Sequence, residues 1–358
     1  MATISVVVPV HNAEPYLQPC LDSLAAQAAS VEVVCVDDGS TDGSEAVLDQ
    51  YAARHPWLRV LHVANGGAGR ARNLGVAAAT GEFLAFADAD DIVPRGAYDR
   101  LLDSVRRTGS DLVVGAVLRV SAGRTWPSGL HSRAILQPEA RTHISRTPSL
   151  LYDATVWNKL YRRDWWDAHG LRFPEHSTYE DIVPALSAHV LARSVDVLTE
   201  PVYLWRLRDD GVPSRSSQRW RLVALEDRLA ALDAVDRLLV ERGLEDLRLH
   251  LQVRLLTMDL PLFLDALPDA DPAFRARVAH VVAERLAAAD PRALEQVRRW
   301  ERLVYGLVRR HRWDSAARVY RGRHAARAAA GPAWRLVRRG AGAVRRGRQG
   351  HPAAVDEL

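Results

Sequence analysis

Short apolar runs alternate with amphipathic stretches through the first 90 residues of this 358-residue chain. Ile4 to Val10 is a β-branched run that reads as a buried strand. Tyr16, Leu17, Cys20, Leu21 and Leu24 follow at helical spacing, with Pro15 or Pro19 suited to a first helical turn. Val31 to Val36 predicts a second buried strand. Asp37-Asp38-Gly39-Ser40-Thr41-Asp42 is a turn-and-cap cluster that opens a helix to about Arg54. Leu58 to Val63 predicts a third strand, Asn65 to Gly69 a loop, and a helix then runs through Ala79. Glu82 to Phe86 predicts a fourth strand, which ends at Asp88-Ala89-Asp90-Asp91. Strands and helices alternating at these lengths predict an α/β fold, a mainly parallel sheet with helices on both faces. Right-handed crossovers place the strand C-termini on one edge, where open α/β sheets bind ligands. Pro9, Asp37, Asp38, Asn65 and Asp88 all fall there.

The pattern is less regular beyond that point. Asp111 to Val120 predicts a strand, and 121–148 reads as irregular and polar. Trp157-Asn158-Lys159-Leu160-Tyr161 follows, then a short helix near Trp165 and Trp166. The pair Glu180-Asp181 precedes an apolar helix from Ile182 to Ala192, and short strands are expected at Val195 to Leu198 and Val202 to Trp205. From about 217 the pattern becomes helical: Leu222, Leu225, Leu229, Leu232, Val235, Leu238 and Leu239 trace one stripe, and similar segments continue to about 320. The chain thus divides into an α/β domain over 1–212, a helical C-terminal subdomain over 213–320 and a tail over 321–358. The tail holds nine arginines against Asp356 and Glu357.

Composition narrows the picture. Hydrophobic residues make up 48% and charged residues 26%, as in a soluble globular protein. Cys20 and Cys35 sit in apolar patterns and read as buried free thiols of a reducing cytosol. Met1 leads directly into a strand, so no signal peptide is expected, and no apolar run reaches the roughly 20 residues that span a bilayer. Lys159 is the only lysine among 48 basic residues. Scattered arginines therefore carry little functional weight, and the single lysine carries more.

Asp88, Asp90 and Asp91 are the first candidate for chemistry. Three carboxylates this close repel and are costly to desolvate. A hard divalent cation, Mg²⁺ or Mn²⁺, removes the conflict and can also bind a diphosphate. The alternative is a solvated turn or helix cap. Asp38, at a strand end, can accept from a uracil N–H or a ribose hydroxyl, or cap the helix that follows; Asp37 caps or holds the loop.

Four runs together are similar to the signatures of family 2 glycosyltransferases of the GT-A fold. They are Pro9-Val10-His11-Asn12 with Tyr16-Leu17; Val36-Asp37-Asp38-Gly39-Ser40; Gly69-Arg70-Ala71-Arg72-Asn73-Leu74-Gly75; and Phe86-Ala87-Asp88-Ala89-Asp90-Asp91. The resemblance covers residues 3 to about 210. It implies a nucleotide-sugar donor, a divalent metal and inversion at the anomeric carbon. On this basis Pro9, Asp38, Asn65, Arg72 and Asp88 are expected to bind the donor. Asp90 is the main metal ligand, shared with Asp88, and Asp91 supports the loop. An inverting transfer needs a base for the acceptor hydroxyl, and the resemblance assigns Asp181. Trp157, Lys159 and Glu180 are then acceptor contacts.

The stretch from Trp165 to Trp205 resembles the glycosyltransferase modules of actinobacterial teichoic acid and capsule proteins. It implies a cell-envelope glycan or polyol-phosphate acceptor, with a hexose or N-acetylhexosamine moved from a UDP-sugar at the cytoplasmic membrane face. The tail is expected to bind an anionic leaflet, with Trp334 at the interface; attraction of an anionic acceptor and disorder are the alternatives. Two rival functions are a nucleotidyltransferase and a glycan-binding scaffold without turnover. The first lacks its glycine-rich loop after the first strand. The intact Asp88, Asp90 and Asp181 set argues against the second. A nucleic-acid partner would need a recognition motif, and none accompanies the basic tail.

Overall fold

The computed structural model describes residues 3–208 and 219–329. Nine strands form one sheet: β1 (Ile4–Val10), β2 (Val31–Asp38), β3 (Leu58–Val63), β4 (Phe83–Phe86), β5 (Leu112–Ser121), β6 (Arg124–Pro127), β7 (Glu139–Thr142), β8 (Lys159–Arg162) and β9 (Val195–Arg206). The order is β3-β2-β1-β4-β8-β5-β9-β7, with β6 paired to β5. Helices α1 (Glu14–Ala25), α2 (Ser44–Ala52), α3 (Ala68–Ala78) and α4 (Ala97–Thr108) connect or follow the first four strands. Pro15 lies in the first turn of α1, whereas Pro19 sits inside the helix and gives up one internal bond.

The first half of the sheet follows the predicted pattern. β1 pairs parallel with both β2 and β4, and β2 with β3. Ile4, Val6, Val7 and Val8 are fully buried, each worth about 1.5–3 kcal/mol relative to exposure. The second half is mixed: β8 runs antiparallel to β4 and β5, β5 and β9 pair in parallel with a register shift, and β7 is antiparallel to β9. The stretch 121–148, expected to be irregular, contains β6, α5 (His131–Ala134) and β7. These pieces are four residues each and polar, so apolar periodicity could not reveal them; backbone pairing to β5 and β9 supplies their order.

Helices α6 (Arg163–Ala168) and α7 (Ile182–Leu191) lead to β9. Beyond residue 219 the described chain is helical: α8 (Leu222–Glu241), α9 (Asp246–Arg254), short π and 3₁₀ turns over 255–263, α10 (Pro272–Ala288), α11 (Pro291–Gln296), α12 (Arg299–Arg309) and α13 (Trp313–Ala329). Leu225, Leu229, Leu232, Val235 and Leu239 of the α8 stripe join the same hydrophobic core as β1 and β4. The arrangement is a mixed α/β sheet followed by a helical C-terminal region.

Candidate active site

The C-terminal edge of β1, β2, β3 and β4 gathers the predicted donor-side residues. Gly39 just past β2 has φ +68, and a Cβ there would meet the Asn65 nitrogen at 2.9 Å. That close approach lets the two loops interlock. The Asn65 amide donates to the Asp38 backbone oxygen (3.0 Å), as Asn12 Oδ1 accepts from the Thr41 N–H (2.8 Å). Asp38 is buried, and its two carboxylate oxygens accept the Gly66 and Gly67 N–H groups at 2.7 and 2.8 Å. It therefore holds the loop after β3 and does not cap α2, whose N-cap is Gly43. Asp37 accepts from the Ser40 N–H and from His62 Nδ1, both at 3.1 Å. Pro9 is partly exposed at the same edge.

β4 ends at Phe86, and Ala87 hydrogen-bonds back to Val7. Asp88, Asp90 and Asp91 then turn over the sheet edge, each offering a carboxylate oxygen within 4.8 Å of the others. Burial pushes the Asp88 carboxyl up; Arg72 opposes this and Asp90 reinforces it. Burial, then Asp90 and Asp88, push Asp91 up further. Positive charge surrounds the group. Arg72 Nη2 donates to Asp88 Oδ1 (2.6 Å), Arg208 Nε to Asp90 Oδ2 (2.7 Å), and Arg206 Nε to the Asp90 backbone oxygen (2.8 Å). The Arg206 N–H donates to Asp91 Oδ1 (2.7 Å), and the Asp88 N–H donates to the Tyr203 hydroxyl (2.9 Å). An oxygen-only set of this spacing fits a hard divalent cation.

Arg72 connects this cluster to the far side of the site. It is 4% exposed, and its Nη1 donates to Glu180 Oε1 at 2.7 Å. Burial disfavours its charge, yet Asp88, Glu180 and Asp181 hold it protonated above the ordinary arginine range. Asp181 stands at the N-cap position of α7 but makes no capping bond. Burial, then the neighbouring Glu180, pushes its carboxyl up to about 7 against the pull of Arg72. Such a group takes a proton readily near neutral pH.

The two remaining acceptor residues lie elsewhere. Trp157 is buried and stacks on Tyr203, with ring centroids 4.2 Å apart. Lys159 is fully buried, its Nζ 2.8 Å from Asp153 Oδ1 and 2.8 Å from Asn158 Oδ1. Burial pushes this ammonium down and Asp153 pulls it back. His131 and His189 also face Asp153, at 3.7 and 3.6 Å. Lys159, expected as an acceptor contact, thus lies fully buried and neutralises the Asp153 carboxylate. Trp157 supports Tyr203, which in turn holds the Asp88 backbone.

Tyr203, Arg206 and Arg208 complete the acidic cluster and carried no site assignment in the sequence. Tyr203 and Arg206 lie on β9, whose apolar alternation alone marked it as a strand. Their pairing with Asp88, Asp90 and Asp91 spans more than 110 residues, a separation that local pattern does not bridge.

Residues 5–170 match the model of Glycosyl transferase family 2. Among curated proteins, the chain is 34% identical over 208 residues to the uncharacterized glycosyltransferase EpsJ of Bacillus subtilis, covering 57% of this chain and 60% of that protein. It is 29% identical over 246 residues to a poly(ribitol-phosphate) beta-glucosyltransferase of Bacillus spizizenii, covering 65% of this chain and 37% of that one. The chain thus spans less than two thirds of these relatives. Among solved structures, S. aureus TarS 1-349 in complex with UDP-GlcNAc superposes with a TM-score of 0.67 at 22% identity, covering 90% of this chain and 92% of that one.

Proposed function

We propose that this chain, which carries a family 2 glycosyltransferase domain, is an inverting, metal-dependent glycosyltransferase. It would move a hexose or N-acetylhexosamine from a UDP-sugar to a hydroxyl of a cell-envelope glycan or polyol-phosphate polymer. The observation that carries this reading is the joining of Asp88 and Glu180 through the buried Arg72, which brings the acidic cluster and the Glu180-Asp181 pair into one site. The similarity to a poly(ribitol-phosphate) glucosyltransferase, and the fold shared with a UDP-GlcNAc complex, support the donor and acceptor classes.

In the proposed reaction the acceptor oxygen attacks the anomeric carbon. The bond from that carbon to the UDP oxygen breaks, and UDP leaves with the electron pair. Asp181 takes the hydroxyl proton, a role that a carboxyl near 7 suits at neutral pH. Asp90 and Asp88 would hold the divalent cation, Mn²⁺ or Mg²⁺, which when bound supplies positive charge beside the donor diphosphate. Arg72 orients Asp88 and Glu180. Pro9 and Asn65 line the donor edge, and Asp38 shapes that edge by fixing Gly66 and Gly67.

The test is transfer from UDP-GlcNAc or UDP-glucose to poly(ribitol phosphate) with Mn²⁺, read by polymer labelling and by the anomeric configuration of the product. A β-linked product from the α-linked donor is expected. Retention, or UDP-sugars left intact with every acceptor, would overturn the reading.

A further inference from the structure

The segment between Phe173 and Asp181, which joins α6 to α7, carries Glu180 and Asp181 and has little structure of its own. Glu175 and His176 are exposed, and His176 adopts φ +63, a left-handed conformation costly for a side chain other than glycine. Something outside the segment must hold it. On one side α3 does so: Asn73 Nδ2 donates to the Phe173 oxygen and Asn73 Oδ1 accepts the Phe173 N–H, both at 2.9 Å. A Cβ at Gly69 would stand 2.2 Å from the Pro174 oxygen, so glycine allows this contact.

On the other side stands α8. Asp227 Oδ2 accepts the Thr178 N–H at 2.8 Å, three residues before Asp181. Next to it, the Arg228 guanidinium lies 4.6 Å from the Tyr179 ring centroid. Arg228 is itself locked. Its Nε donates to Asp259 Oδ1 (2.7 Å), and Asp259, 1% exposed, also accepts Arg254 Nε at 3.1 Å. Arg254 in turn donates to the Leu151 oxygen.

We infer that α8 sets the placement of Asp181, with Asp227 and Arg228 as positioning residues, so that the helical region is part of the catalytic unit. The inference rests on Asp181 being the base. A general base works only within hydrogen-bond reach of the proton it takes. The Asp181 backbone oxygen accepts the Ala185 N–H of α7, and its side chain makes no capping bond, so the backbone held at Thr178 and Tyr179 helps set where its carboxyl sits.

Asp227→Ala and Asp227→Asn in the full chain test this, because Asn keeps an acceptor oxygen for the Thr178 N–H and Ala does not. With UDP-GlcNAc and poly(ribitol phosphate), Asp227→Ala is expected to lower kcat by about 10- to 100-fold, as small misplacements of a reacting group do. KM for UDP-GlcNAc and calorimetric UDP affinity should be unchanged, and amide exchange over 173–182 should rise. Asp227→Asn should restore kcat and protection. Wild-type kcat in Asp227→Ala, equal loss in both variants, or loss of UDP affinity alongside kcat would overturn the inference. If Asp181→Asn still transfers, or the wild type does not, the base assignment fails on its own. Amide exchange in Asp227→Ala then still decides whether α8 holds the segment.

Discussion

Three aspartates stand within two turns of chain, yet their partners make them unequal. Asp88 is committed to Arg72, and Asp91 is buried and accepts the Arg206 N–H. Among the described residues, the Asp90 carboxylate takes the partly exposed Arg208 side chain rather than a buried guanidinium or a loop N–H. Asp90 is therefore the carboxylate best able to trade a guanidinium for a metal. Asp90→Ala should abolish the Mn²⁺-dependent part of UDP binding in calorimetry; the same Mn²⁺-dependent affinity as wild type would remove Asp90 from the metal site. Asp38 shows how a residue's position can be legible while its role is not. Its place at the end of β2 follows from the apolar run before it. That its carboxylate closes on Gly66 and Gly67 depends on how β3 returns beside β2, which no local signal encodes.

At the scale of elements, β1 to β3 and their helices were readable because each is apolar or periodic over six residues or more, and β4, though only four residues long, because all four are apolar. α4, β6, β7 and β8 were not assigned. α4 is amphipathic, with Leu101, Leu102 and Val105 on its buried face. The three strands are four residues long and are specified by pairing. β8 also carries Lys159. The family resemblance makes Lys159 an acceptor contact, whereas on β8 it points into a buried group with Asp153, His131 and His189. Removing one partner of a buried pair leaves the other charge uncompensated. Lys159→Met should thus destabilise the fold by about 3–5 kcal/mol in denaturant unfolding. A variant of wild-type stability with a raised acceptor KM would instead return Lys159 to the acceptor site.

At the scale of the molecule, the sheet domain and the helices beyond residue 219 share one core, and α8 reaches the segment that carries Asp181. The proposed division at 212/213 falls in 209–218, outside the described residues. Of the basic tail, α13 reaches Ala329, and 330–358, with Trp334, lies outside them too; the membrane role proposed for the tail rests on its arginines and Trp334 as read from the sequence. Among the described residues no helix is long and apolar enough to cross a membrane. The helical region was legible as helices but not as a support for the site, because Asp227 and Arg228 look like ordinary polar-face residues of an amphipathic helix. Asp181 is proposed as the base of an inverting sugar transfer. Asp181→Asn, measured for UDP affinity and for transfer from UDP-GlcNAc to poly(ribitol phosphate) in the same preparation, tests it most directly. Unchanged UDP affinity with transfer abolished is the predicted result; transfer near the wild-type rate would contradict the claim.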